Sequence, residues 1–173
     1  MKKIVFLFVL ISLNSFSQES LKDLLKKYNT ESVPYISVDS LKKITKKPFD
    51  STLADNNIIL LDAREKKEYK VSHLKNALFV GYDKFNLKKT TKNLPNKNAK
   101  IVVYCSLGVR SEIVAEKLKK AGYTNVLNLY GGIFEWKNNG NTVFNSKEKS
   151  TEKVHTCTKE WSQWLVKGEK VYE

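Results

Sequence analysis

The residues best suited to chemistry lie in one stretch, YCSLGVRSEI, residues 104–113. A thiol, Cys105, is followed by Gly108, by a guanidinium on Arg110 and by a hydroxyl on Ser111. The stretch follows the apolar run KIVV and leads into SEIVAEKLKKAGY, whose pattern predicts an amphipathic helix. Ile113, Val114, Leu118 and Ala121 are expected on its apolar face, and Gly122 is expected to end it. Cys105 therefore stands where a buried strand turns into a helix. Sites of open parallel α/β sheets form at such strand ends, and Gly108 eases the turn. The first turn of a helix carries unpaired N–H groups and partial positive charge. A thiol facing those donors has a lowered pKa, and the same cradle holds an anion. The expected chemistry is a nucleophilic sulfur in an anion-binding loop. The bland alternative is a strand-end cysteine packed as a small hydrophobe.

Strands must alternate with helices to place this loop. The run NIILLDAR reads as a strand buried on both faces, ending at Asp62. YISV is a short β-prone run, followed by a helix capped at Asp39 or Ser40. EKKEYKVSHLKNA reads as a short helix and turn leading to the strand ALFVGY. Residues 83–100 read as a helical or irregular crossover before KIVVYC. NVLNLYGGI is the last clear strand, and FEWKNNG a short helix. This alternation predicts an α/β fold with a mostly parallel sheet flanked by helices.

Four segments are expected. Residues 1–17 have a basic start, the apolar run Ile4 to Leu13 and small residues at Ser15 and Ser17, the pattern of a secretory signal cut near Ser17. The apolar run is short for a membrane span, so the expectation is an exported, periplasmic or secreted protein with no stable span after cleavage. Residues 18–34 read as a helical lead-in, 35–144 as the α/β domain, and 145–173 as a polar linker and helical extension. In that extension Val154, Cys157, Trp161, Trp164 and Leu165 share one face at helical spacing. Docking of that stripe on the domain is the favoured reading, with a partner site the alternative. Cys157 is the only other cysteine, and two are too few for a disulfide scaffold. The net charge of +13 does not point to nucleic acid, because the lysines are spread along the whole chain. Only two of the 31 basic residues are arginines, Arg64 and Arg110, where a planar fork does what an ammonium does not.

CSLGVRS, Cys105 to Ser111, resembles the active loop of the rhodanese family of sulfurtransferases. LLDAREKKEYKVSHLKNA resembles the family's upstream motif of a strand, Asp-x-Arg-Glu, a short helix and Gly-His-Ile-Pro-Gly-Ala. LYGGIFEWKNNG resembles its closing Gly-Gly, Trp and Gly. The likeness spans about residues 35–144, with the three motifs in family order. It implies a central five-stranded parallel sheet flanked by helices. It also implies a ping-pong cycle, in which the Cys105 thiolate takes the outer sulfur of an anionic donor such as thiosulfate. A thiol or cyanide acceptor then collects that sulfur from the persulfide. No metal or organic cofactor is implied.

In this reading the backbone amides of Ser106, Leu107, Gly108, Val109, Arg110 and Ser111 hold the persulfide sulfur and the incoming anion. Arg110 is expected to add positive charge at the rim, and Ser111 to cap the helix or donate its hydroxyl. Asp62, Arg64 and His73 are expected to support the motifs, Arg64 through ion pairs and His73 through hydrogen bonds. The chain departs from the family at Ser72-His73-Leu74-Lys75-Asn76, where Asn76 replaces a glycine and is expected to tolerate positive φ. Ser106 stands where some thiosulfate-using members carry a basic residue. Three alternatives remain open at this point: a cysteine-dependent phosphatase or arsenate reductase, a non-catalytic binding module, and a redox pairing of Cys105 with Cys157. The first would need a wider loop than the four residues between Cys105 and Arg110.

Overall fold

The structure is a computed structural model and describes residues 20–45, 58–94 and 96–172. The expected leader, residues 1–17, lies outside the described residues. In chain order the elements are α1 (Leu21–Tyr28), β1 (Tyr35–Ile36), α2 (Val38–Thr45), β2 (Ile59–Asp62), α3 (Lys66–Val71) and β3 (Leu78–Phe79). Next come α4 (Leu87–Lys92), β4 (Ile101–Tyr104), α5 (Val109–Lys120), β5 (Val126–Leu129) and α6 (Gly132–Asn138). The chain then forms β6 (Val143–Phe144), β7 (Ser150–Thr151), β8 (Lys153–His155), a 3-10 turn at Trp161–Trp164 and β9 (Glu169–Val171).

Five strands form one sheet in the order β1-β5-β4-β2-β3, with every pair parallel. This is the α/β architecture that the alternating pattern predicts. The central strand β4 is buried along its whole length, as a strand with both faces covered must be. Its side chains alternate. Val102 and Tyr104 face the core under α1, α2, α6 and the C-terminal segment, while Ile101 and Val103 face the core under α5. Asp62 of β2 is in register with Tyr104, and Asn128 of β5 with Val103, so the polar ends of three strands meet beside Cys105.

Several local details differ from the sequence reading. The cap of α2 is Ser37, whose Oγ accepts from the Ser40 N–H at 3.2 Å, and not Asp39 or Ser40. The buried face of α5 is Val114, Ala115 and Leu118, whereas Ile113 is exposed. Asn76 does adopt positive φ, at 61°.

The C-terminal extension is not helical. Its linker closes as the antiparallel β6–β7 hairpin, in which Asn145 Oδ1 accepts from the N–H groups of Lys147 and Lys149. Beyond it, β8 and β9 pair in parallel around the 3-10 turn. Two features break a helix here: Cys157 has φ 67° and Gly168 has φ 98°. The stripe does dock, because Val154 and Leu165 are fully buried in the main core, with Trp161 and Trp164 packed against it.

One glycine fixes how α6 meets the Cys105 loop. The Ile133 N–H donates to the Cys105 carbonyl at 2.9 Å, and the Phe134 N–H to the Ser106 carbonyl at 3.1 Å. A Cβ on Gly132, which has φ 55°, would lie 2.3 Å from that Cys105 oxygen. Gly132→Ala is therefore expected to destabilise the protein by roughly 2–4 kcal/mol. Gly122→Ala has similar backbone strain, with φ 89°, but nothing within 4 Å of the new methyl. It is expected to cost only about 1 kcal/mol. Urea unfolding of the two variants checks the difference.

Candidate active site

Cys105 ends the buried strand β4, and the chain turns through Ser106, Leu107 and Gly108 into α5. Gly108 caps α5 with φ 117° and ψ 0°, a conformation open only to glycine. Its peptide is held firmly, since its carbonyl accepts from Asn128 Nδ2 at 2.8 Å and from Asn29 Nδ2 at 3.0 Å. The Gly108 N–H then donates to Cys105 Sγ at 3.1 Å. The lead-in segment is part of this frame. Thr30 donates from its N–H and its hydroxyl to the buried carboxylate of Glu112, on the first turn of α5.

Ser111 Oγ lies 3.5 Å from Cys105 Sγ and 2.7 Å from Asn128 Oδ1. Asn128 Oδ1 must be an acceptor, because its amide nitrogen donates to Gly108. A serine has one hydroxyl proton, and the shorter contact holds it. The sulfur is therefore held chiefly by amides and by charge. Burial pushes the Cys105 thiol up, but the Arg110 guanidinium and the amides of Ser111 and Gly108 bring it below its usual value of 9.0.

Arg110 lines the cavity beside the loop, and its charge is paired. Its Nη1 donates to Glu68 Oε2 at 2.7 Å and its Nη2 to Glu68 Oε1 at 2.8 Å, a bidentate pair. Nη2 also donates to Ser106 Oγ at 3.1 Å, and that hydroxyl donates on to Glu68 Oε1 at 3.2 Å. Glu68 is buried on α3 and also accepts from the Glu65 N–H at 2.8 Å. Burial opposes its charge, yet Arg110, Arg64 and that amide lower its pKa to about 2. Arg110 thus favours the charged sulfur while its own charge is balanced by a carboxylate.

Of the motif-supporting residues, Asp62 and Arg64 form a fully buried ion pair, 2.6 Å between Oδ2 and Nη2. Arg64 also donates to the Ser72 carbonyl at 2.6 Å. His73 stacks on Tyr69, with Nδ1 3.1 Å from the Tyr69 carbonyl and Nε2 3.1 Å from Glu148. None of these three residues lines the space above the sulfur. That space is a cavity of about 150 Å³ bounded by Cys105, Ser106, Leu107, Val109 and Arg110 from the loop, and by Cys157 and Trp161 from the C-terminal segment. A larger cavity of about 260 Å³ at the β3 edge, lined by Phe79 and Lys84 among others, contains no thiol.

A family model, the rhodanese-like domain, matches residues 45–139. The chain belongs to the rhodanese-like family. This rhodanese-like domain is 36% identical over 97 residues to a tRNA uridine(34) hydroxylase of Aster yellows witches'-broom phytoplasma (strain AYWB), which covers 51% of this chain and 30% of that protein. It is 32% identical over 108 residues to a putative sulfur carrier protein, YrkF, of Bacillus subtilis (strain 168), covering 62% of this chain and 53% of that protein. The chain thus spans about a third to a half of the length of these curated relatives. A solved structure of a rhodanese-related protein from Thermoplasma volcanium superposes with a TM-score of 0.51 at 25% identity, over 64% of this chain and 96% of that one. The thiosulfate sulfurtransferase of Pseudomonas aeruginosa shares the fold, with a TM-score of 0.56 at 17% identity, over 77% of this chain and 23% of that one.

Sequence reasoning missed Glu68 and Asn128, which this rhodanese-like domain uses to hold Arg110 and the Gly108 turn. Asn128 left a signal, a lone amide inside the buried run VLNL, where an unpaired polar group is costly. Glu68 left none. The folded pKa of Glu68, about 2, lies below its ordinary 4.5. Its stabilising contribution, on the order of 3 kcal/mol, is complete above about pH 4.5 and is lost as pH falls toward about 2. Glu68→Gln is expected to be less stable than the parent at pH 6, with the gap narrowing below pH 4. Urea unfolding across that range measures it.

Proposed function

We propose that this rhodanese-like domain is a sulfurtransferase that carries sulfane sulfur as a persulfide on Cys105. The observation that carries the reading is the Cys105 sulfur at the floor of the small cavity, 3.1 Å from the Gly108 N–H and under the field of Arg110. An ionised sulfur so placed attacks the outer sulfur of a donor such as thiosulfate. The donor's S–S bond breaks, sulfite leaves with the electron pair, and the new sulfur remains on Cys105. The first-turn amides of α5 have no partners within the helix, and they are suited to hold the terminal sulfur anion. A thiolate or cyanide acceptor then attacks that sulfur and returns the electron pair to Cys105.

The cavity also bears on the donor. Arg110 is already paired with Glu68, and Leu107, Val109 and Trp161 give the walls an apolar character. That favours donors whose charge is confined to the end meeting the amides, and it admits organic persulfides beside thiosulfate. With the leader-like segment at residues 1–17, the reaction belongs to an exported compartment. Among the described residues no helix is long and apolar enough to cross a membrane.

The test is mass spectrometry of the full chain after exposure to thiosulfate or to glutathione persulfide, without reductant. One added sulfur atom is expected on the Cys105 peptide and none at that position in Cys105→Ser. Loss of that sulfur to cyanide as thiocyanate should restore the starting mass. No Cys105-dependent adduct from either donor, or turnover of an aryl phosphate instead, would overturn the reading.

A further inference from the structure

We propose that Cys157 is a second sulfur carrier of this site: it takes the sulfane sulfur from Cys105 and presents it to acceptor thiols at the surface. The proposal rests on the persulfide reading above and adds a step to it.

Three independent observations support it. The first is juxtaposition. The C-terminal strap, residues 153–171, brings Cys157 and Trp161 to the wall of the Cys105 cavity, so both cysteines line one small space. Neither is in a disulfide, and the Arg110 guanidinium acts on both.

The second is that Cys157 is held in place. Val154 and Leu165 anchor the strap in the core, and the Thr156 N–H donates to the Val171 carbonyl at 2.9 Å. Cys157 itself sits at φ 67°, and its N–H donates to His155 Nδ1 at 3.0 Å. Trp161 on the other side packs edge-on against Tyr28 of α1, with ring centroids 6.0 Å apart.

The third is access. Cys105 is 2% exposed, whereas Cys157 is only partly buried. Both cysteines line one cavity, and Cys157 is the more exposed of the two. A sulfur passed to Cys157 is therefore nearer to solvent than one held on Cys105.

The chemistry balances without any oxidant. Cys157 releases its proton to solvent, and its thiolate attacks the outer sulfur of the Cys105 persulfide. A bond forms between that sulfur and Cys157 Sγ. The bond to Cys105 Sγ breaks, and its electron pair restores the Cys105 thiolate. An acceptor thiolate then repeats the exchange at Cys157. The direction is favoured by the environments of the two thiols. Burial pushes the Cys157 thiol up, while Cys105 is held down, so the more basic sulfur attacks and the less basic one leaves.

The test uses the full chain loaded with thiosulfate or glutathione persulfide, trapped by alkylation, digested and mapped at both cysteines. In the parent protein the added sulfur is expected on the Cys157 peptide as well as on Cys105. In Cys105→Ser it should be absent from Cys157. In Cys157→Ser it should stay on Cys105, and its release to glutathione should slow by about tenfold or more in single-turnover kinetics. Sulfur confined to Cys105 in the parent, with release unchanged in Cys157→Ser, overturns the relay and leaves the persulfide reading intact. So does a Cys105–Cys157 disulfide with free hydrosulfide, or sulfur on Cys157 in Cys105→Ser. Sulfur on neither cysteine removes the persulfide reading, and the relay with it.

Discussion

A sulfur anion in a protein interior must be compensated or it will not exist. Cys105 is almost completely buried, and burial alone drives a thiol toward its neutral form. What reverses that tendency is the Arg110 guanidinium together with the amides of the loop, and one glycine turn aims one of those amides. The Gly108 N–H points at the sulfur because the chain leaves β4 and enters α5 through a conformation that only glycine adopts readily. Two asparagine amides, from α1's C-cap and from β5, lock the turn from behind. Much of the surrounding architecture follows from the need to fix this one peptide group.

The charge partner obeys a similar logic. Arg110 favours the thiolate, but an unpaired guanidinium lying this deep is itself expensive. Glu68 balances it with two hydrogen bonds, and Ser106 joins the pair. The buried Asp62–Arg64 pair braces the neighbouring strand end and the Ser72 carbonyl. The α6 N-terminus satisfies the carbonyls of Cys105 and Ser106, which Gly132 makes possible by having no side chain. The site is thus a local turn supported by three distant elements, and the strap forms part of its cavity wall.

The parts legible in the sequence are those written locally. A strand, a cysteine, a glycine and a helix in succession give the position of Cys105, and alternating strand and helix patterns give the parallel sheet. The residues that escaped notice act across long sequence separations. Glu68 meets Arg110 42 residues on, and within EKKEYK it looks like any solvated acid. Asn29 reaches Gly108 across 79 residues. The tail departs from the helix its pattern predicts for another reason. Apolar residues three and four apart in a short segment fit a helix, but they fit equally a strand, a tight turn and a second strand that all lean on one core. The positive φ of Cys157 belongs to tertiary packing and has no signature in residue type.

The central claim is that Cys105 is ionised more easily in the fold than out of it. The most direct measurement is the thiolate ultraviolet absorbance of Cys157→Ser, which leaves a single thiol, followed against pH in the native and the urea-unfolded protein. A native midpoint below the unfolded one is the predicted result, since the fold holds this thiol below its ordinary 9.0. A native midpoint equal to or above the unfolded one would contradict the account, because burial would then have prevailed over the Gly108 and Ser111 amides and Arg110.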